Sequence, residues 1–253
     1  RYADSLSPAN PMKYYSLYQA LLLRRYEGAL IGKFDVAFPI TASDHENARR
    51  IAPAAHLVTV PAGVDMEKFL TPSGRDRNGR EMLIATSFHW RHNTDGLRWF
   101  IARVMPEIKR RFPDATLTIV GKGSDSMFKS DASLGIRALG YVPSVAEHLA
   151  RAGICIAPLF VGGGIRIKIL EALAAGLPTV ATGIAAEGIE ATEADGLFTA
   201  DSEQEFVARI SYLMANTDGL ERLGVHASGF VRERYSWRAS AETILREYRK
   251  ARR

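Results

Sequence analysis

The densest chemistry in the chain lies between Gly162 and Glu171: Gly162-Gly163-Gly164-Ile165-Arg166-Ile167-Lys168-Ile169-Leu170-Glu171. Three consecutive glycines leave backbone N–H groups unshielded at the start of an expected helix. The first N–H groups of a helix have no intrahelical partner, so this start is an anion site. Arg166 and Lys168 add two cations at the same mouth. Glu171 follows deeper in the helix, able to accept hydrogen bonds from hydroxyl groups. Anion donors followed by a hydroxyl acceptor suit a nucleotide diphosphate sugar. The plain alternative is a tight turn, which glycine serves by tolerating positive φ. One glycine would do for that; three with two cations within seven residues favour the anion site.

Two difficulties come with this reading. Arg166 and Lys168 are two apart and cannot share a face of an ideal helix. For both to reach one diphosphate, the first turn must be irregular or the long stems must converge. Glu171 lies between Leu170 and Ala172 on an apolar face, where a carboxylate is costly without a partner. Its partners are either ligand hydroxyls or, alternatively, Arg166 or Lys168 in a salt bridge.

The elements around this segment alternate. Residues 81–87 read as a strand, followed by a helix capped by Asn93 or Thr94. That helix places Leu97, Phe100, Ile101, Val104, Ile108 and Phe112 on one face. Strands are expected over 116–120, 136–142, 154–158 and 178–182, with helices over 145–152 and 164–175. From Ser202 to Ala251 the pattern is helical throughout. Short, continuously apolar strands between amphipathic helices imply α/β architecture, a doubly wound parallel sheet of Rossmann type covered on both faces. Tyr141-Val142-Pro143 ends a strand at the edge where such sheets collect ligands. Before residue 70 the pattern gives a long helix over 14–34, strand-like runs over 36–40 and 57–61, and a helix from Thr41 through Arg50. This reads as the end of a second doubly wound domain. Residues 71–80 are polar, contain Pro and Gly, and read as a linker.

Composition narrows the function classes. The chain has 253 residues, 47% of them hydrophobic, enough for one large or two small cores. Net charge is +5, but Arg246 to Arg253 hold five basic residues against Glu247 alone, so most of the excess is a tail. Nucleic acid would need basic charge along a face with interleaved aromatics, so no nucleic-acid partner is expected. The tail reads as a solvated helix end or as attraction to an anionic membrane. The single cysteine, Cys155, lies in an apolar run and fits a reducing compartment. A cytoplasmic location, with peripheral contact at the inner face of the membrane, is the expectation. No apolar run approaches the roughly 18 residues of a spanning helix. The chain opens Arg1-Tyr2-Ala3-Asp4 without Met and is read as lacking its natural N-terminus. His89 and His92 have no carboxylate at ligand spacing, and the chain has no Asp-x-Asp, so no metal is expected. Gly121-Lys122-Gly123-Ser124-Asp125-Ser126 lacks the third glycine of a dinucleotide fingerprint, which disfavours a dehydrogenase.

These motifs together resemble a known family. Pro61-Ala62-Gly63-Val64-Asp65 with Phe69 is similar to the Pro-Asn-Gly-Val-Asp…Phe that closes the N-terminal domain of family 4 retaining glycosyltransferases of the GT-B fold. The segment Thr86 to Gly96 resembles the entry to the first donor-domain helix, which makes Asn93 a donor-binding candidate. Ile119 to Gly123, Gly140-Tyr141-Val142-Pro143, and Leu170-Glu171-Ala172 with Ala175 to Pro178 match in order and spacing. Arg234-Tyr235-Ser236-Trp237 resembles the entry to the last helix, which crosses back to the N-terminal domain.

The resemblance implies residues 1–70 as the remnant of an acceptor-side domain, 71–80 as linker, 81–235 as the nucleotide-sugar domain and 236–253 as the crossing helix. It implies transfer of a sugar to an acceptor hydroxyl with retention, in bacterial glycan or polysaccharide synthesis. The donor is a nucleotide diphosphate sugar, the acceptor a glycan or lipid-linked glycan, and there is no separate cofactor. Arg166 and Lys168 would be catalytic, acting on the diphosphate. Gly162, Gly163, Gly164, Glu171, Tyr141, Val142 and Asn93 would bind the donor, Glu171 through the ribose and Tyr141-Val142 through the base. Many members carry Glu-x7-Glu here; Gly163 stands at the first of those positions. A binding module inactive as this fragment, or a sugar-nucleotide epimerase of the same architecture, are the competing readings.

Overall fold

The computed structural model describes residues 7–69 and 77–251. Most of the linker expected over 71–80, and Arg252 and Arg253 of the basic tail, lie outside the described residues. The chain divides into two compact units, Arg1–Pro61 with Glu242–Arg253, and Ala62–Ala241. No helix among the described residues is long and apolar enough to cross a membrane.

In the first unit, α1 (Pro11–Ile31) starts at Asn10, whose side chain accepts from the Met12 N–H at 3.0 Å. α2 (Ala42–Ile51) starts at Thr41, which accepts from Asp44 N–H at 3.0 Å. The strand-like runs over 36–40 and 57–61 form only a single parallel bridge, Ala37 to Leu57. Near the chain end, the buried carboxylate of Glu247 meets Lys250 at 2.7 Å and His56 at 3.5 Å.

The second unit begins with the single turn α3 (Met66–Phe69) and then alternates strand and helix. In order follow β1 (Asn78–Ala85), α4 (Arg91–Arg103), α5 (Met105–Arg111), β2 (Thr116–Val120), α6 (Ser124–Met127), β3 (Ile136–Ala138) and α7 (Val145–Arg151). They are followed by β4 (Ala152–Ala157), α8 (Ile167–Ala174), β5 (Thr179–Ala181), α9 (Gly183–Ala186), β6 (Leu197–Thr199), α10 (Glu203–Ala215) and α11 (Thr217–Arg234). α12 (Trp237–Ala251) closes the chain.

The six strands are all parallel, in the order β3-β2-β1-β4-β5-β6. Successive strand residues face opposite sides. Met82, Ile84, Leu117, Ile119, Ile154 and Ile156 meet α4, α5 and α10 on one face. Leu83, Val120, Cys155 and Ala157 meet α7, α8 and α11 on the other. Burial on both sides is why the central stretches Met82–Ile84 of β1 and Ile154–Ala157 of β4 carry apolar residues at consecutive positions. Arg77 ties the second layer together, donating to the carbonyls of Leu149 and Ala152 at 2.9 and 3.2 Å and to that of Ala175.

Several elements depart from the sequence expectation. The helix expected to run through Phe112 is two helices, because Pro106 near the start of α5 has no N–H to continue α4. Its apolar face is nonetheless as read, with Leu97, Phe100, Val104 and Ile108 buried. α4 starts at Arg91, so neither Asn93 nor Thr94 is its cap; Trp90 holds that position. β3 stops at Ala138, and the chain turns at Gly140, where φ is 72°. α8 begins at Ile167, so the three glycines precede the helix instead of forming its first turn.

Candidate functional site

Strand order reverses between β1 and β4, and the loops leaving their carboxyl ends diverge around a crevice. Open α/β sheets bind ligands at such a switch point. The loop after β1 is held by the first turn of α4. Thr94 Oγ1 donates to the Phe88 carbonyl at 2.9 Å, and Asn93 Nδ2 to the Ser87 carbonyl at 2.8 Å. The loop after β4 is anchored at Leu159, whose carbonyl accepts from the Thr182 hydroxyl. Gly96 lets α4 reach that loop, since a Cβ there would overlap the Pro158 carbonyl oxygen.

Beyond Leu159 the glycines lie open to solvent. Gly162 has φ 140° and Gly164 φ 80°, conformations that L side chains rarely adopt. A Cβ on Gly162 would also overlap the Arg166 guanidinium, while one on Gly163 would meet nothing. The bend brings the chain to Arg166, the N-cap of α8, in an extended conformation with φ −95° and ψ 90°. Arg166 therefore lies outside the helix and Lys168 inside it. This removes the facing problem that two residues of one regular helix would have.

The two cations do share surroundings. Arg166 Nη1 donates to the Gly163 carbonyl at 2.6 Å, whereas its Nε and Nη2 are buried without a hydrogen-bond partner. Lys168 Nζ reaches across to the β1 loop, donating to Thr86 Oγ1 at 3.2 Å and Asn93 Oδ1 at 3.3 Å. Burial brings the Lys168 ammonium down to about 8; the nearby Cys155 thiol opposes that shift and Arg166 adds to it. Burial also lowers Arg166, with Glu187 acting in the opposite sense. His92, one residue before Asn93, is held below the ordinary imidazole range by burial and then by Arg166 and Lys168. Three basic groups, His92 from the first turn of α4 and Arg166 and Lys168 from the start of α8, thus converge on one crevice.

Glu171 sits one turn beyond Lys168 on α8. Burial raises its carboxyl above the usual range, and Lys68 partly offsets this. No ion pair joins Glu171 to Arg166 or Lys168 among the described residues. Tyr141 and Val142 lie after β3 on the same carboxyl edge of the sheet. Tyr141 is 74% exposed and Val142 partly covered. Asn93 is only 8% exposed and turns its amide to Lys168 and the β1 loop. No group of three or more His, Cys, Asp or Glu side chains gathers among the described residues.

Sequence reasoning passed over Thr86, and weighed His92 only as a metal ligand. Thr86 lies 82 residues from its Lys168 partner, and no local pattern marks it. His92 had a usable signal, its place one residue before a polar first turn of a helix that follows a strand.

The fold, a parallel sheet with helices on both faces and a reversal of strand order at its centre, is a Rossmann-type domain of the kind found in glycosyltransferases of the GT-B fold. Comparison with known proteins agrees. The family model described as glycosyl transferases group 1 matches residues 80–216, and the chain belongs to this family. It is 28% identical over 249 residues to a phosphatidyl-myo-inositol mannosyltransferase of Mycolicibacterium smegmatis, covering 92% of this chain and 60% of that protein. It is 25% identical over 181 residues to an uncharacterised 44.6 kDa protein of the cps region of Klebsiella pneumoniae, covering 68% and 47%.

Among solved structures, sucrose-phosphate synthase from Thermosynechococcus elongatus superposes with a TM-score of 0.67 at 17% identity, over 89% of this chain and 60% of that one. HepE from Anabaena in complex with UDP superposes with a TM-score of 0.67 at 13% identity, over 85% and 64%. The chain spans about half to two thirds of the length of these relatives.

Proposed function

We propose that this chain carries the donor half of a retaining glycosyltransferase that uses a nucleotide diphosphate sugar and needs no metal ion or other cofactor. The observation that carries this reading is the pair of buried, unpartnered donors of Arg166, Nε and Nη2, beside the ammonium of Lys168. Two buried guanidinium nitrogens whose three N–H groups go unused are costly unless a ligand completes them. A diphosphate supplies acceptor oxygens in the fork geometry that guanidinium fits.

In the proposed reaction the bond between the sugar C1 and the diphosphate oxygen breaks as negative charge builds on the leaving group. Arg166, Lys168 and the N–H groups of the Gly162–Gly164 bend stabilise that charge, as fixed donors do best. The acceptor hydroxyl attacks from the face the diphosphate leaves, and its proton passes to a departing phosphate oxygen. This route needs no side-chain base. Glu171 would take the ribose hydroxyls and the Tyr141-Val142 backbone the base. Gly163 leaves the sugar without the first carboxylate of Glu-x7-Glu. The acceptor is a glycan or lipid-linked glycan, reached at the inner membrane face with exposed Arg246 and Arg249 toward anionic lipid.

The share of the relatives' length covered favours a second reading, in which the chain by itself binds donor without transferring sugar. Residues 1–70 then serve as the remnant of an acceptor-side domain and α12 as the helix that returns to it.

Calorimetric titration with UDP, GDP and ADP, with and without EDTA, tests the proposal. Binding of one of them, unchanged by EDTA, is expected. Failure of all three, or binding abolished by EDTA, would refute it.

A further inference from the structure

Lys168 is held by neutral acceptors, and the orientation of one is set by its other contacts. Asn93 Nδ2 donates to the Ser87 carbonyl at 2.8 Å and to Thr86 Oγ1 at 2.9 Å. A carbonyl oxygen only accepts, so the amide nitrogen must face it and Oδ1 is left for the ammonium. Thr86 Oγ1 uses its two lone pairs on Asn93 Nδ2 and Lys168 Nζ. The result is a closed triangle of Thr86, Asn93 and Lys168. It uses two of the ammonium's three N–H groups and leaves the third for a ligand.

We propose that Asn93 is a positioning residue that, with Thr86, aims the Lys168 ammonium at the donor diphosphate while leaving its charge uncancelled. This rests on the donor-site reading above and goes further, assigning Asn93 to the lysine and not to the donor.

The choice of an amide has a physical reason. A carboxylate in its place would pair with the ammonium and cancel the field that attracts a diphosphate. An apolar side chain would leave the ammonium desolvated and drive it toward the neutral amine. The groups facing Lys168 leave this task to the clasp. They are Arg166 ahead of α8, the Cys155 thiol on β4 and His92 on α4. Glu187, near the end of α9, acts on Arg166. Arg166, Cys155 and His92 bring no carboxylate to the ammonium.

The test uses the full chain with Asn93→Asp, Thr86→Val and Thr86→Ser. The Lys168 titration is followed by NMR of labelled lysines, and UDP and uridine affinities by calorimetry from pH 7 to 9. Asn93→Asp is expected to move the Lys168 titration upward by about one pH unit or more. It should also weaken UDP about tenfold at neutral pH while sparing uridine. Thr86→Val should move the titration downward and also weaken UDP, whereas Thr86→Ser should preserve both.

Folded variants whose Lys168 titrates as in the unsubstituted chain overturn the clasp. So does a moved titration with unchanged UDP affinity, which would make the contacts merely structural. If Asn93→Asp does not fold, the Thr86 pair decides by the same criteria. A moved titration in a chain that binds no UDP, GDP or ADP would instead overturn the donor reading, and the diphosphate role of the clasp with it. The NMR measurement separates the two failures.

Discussion

Replacing Lys168 by Met should change how stability depends on pH, in a direction that follows from burial. Lys168 titrates near 8 in the folded chain against an ordinary value of 10.5. Each unit of difference corresponds to about 1.36 kcal/mol between protonation states, so the charged form carries a penalty of about 3 kcal/mol. Between the two values the unfolded chain binds more protons than the folded one, and unfolding free energy therefore rises with pH. The penalty is constant below about 8 and relieved above 10.5.

Lys168→Met removes the titration. The wild-type curve should therefore gain about 3 kcal/mol on the variant between pH 8 and 10.5, and run parallel to it from pH 8 down to the range where His92, itself lowered in part by Lys168, titrates. At about 2–4 °C per kcal/mol for a chain of this size, the melting temperatures should shift relative to one another by about 6–12 °C. His92 lies below this window. Cys155 rises from an ordinary 9.0 to about 12 on folding, so it lowers the stability of wild type and variant alike as pH passes 9 and drops out of their difference. All three tryptophans, Trp90, Trp99 and Trp237, belong to the second unit, so their fluorescence during urea or thermal unfolding reports on the unit that holds Lys168. In parallel, UDP affinity of the wild type should fall above pH 8 and that of the variant should not. Parallel stability curves across the whole range would refute a buried, charged Lys168.

Other substitutions test the remaining parts of the site. Arg166→Ala should weaken UDP about tenfold to a hundredfold and uridine little, because the lost bonds are charge-assisted ones to phosphate; equal losses would remove Arg166 from that role. Glu171→Gln should weaken uridine and spare pyrophosphate. Because burial raises the Glu171 carboxyl, wild-type stability relative to this variant should increase as pH falls through that raised value and be lost as pH rises through it. Unchanged uridine affinity would end the ribose assignment. Gly96→Ala sets a methyl group against the Pro158 carbonyl and should cost about 3 kcal/mol or more in urea denaturation. A variant as stable as the wild type would show that α4 does not need this close approach.

Much of the architecture is legible along the chain because its cause is local. The run Ala152–Ala157 is apolar at consecutive positions and Thr116–Val120 is so apart from its two threonines, which is what burial on both faces of a parallel sheet demands. Leu97, Phe100 and Ile108 recur at helical spacing on the face that meets the sheet. The glycines, Arg166, Lys168 and Glu171 lie within ten residues, so their common loop and helix could be read directly. Where one local signal opposed another, the reading was less accurate. The apolar stripe through Phe112 outweighed Pro106, which ends one helix and begins the next. Leu197–Thr199 is too short a run to register as a strand until β5 pairs with it.

The environment of the cations was decided by tertiary structure. Thr86 and Asn93 lie 82 and 75 residues from Lys168, and they meet it because β1 and β4 are neighbours where the strand order reverses. Chain composition could mark Lys168 as a cation, but its lowered proton affinity comes from burial beneath a loop supplied by another strand. Arg166 likewise faces the same crevice because the glycine bend holds it outside α8, a backbone path that spacing alone does not contain. Residue type and periodicity determined which elements form and which groups can do chemistry. The crossover between β1 and β4 determined which groups meet, how deeply they are buried and therefore how strongly they hold their charge.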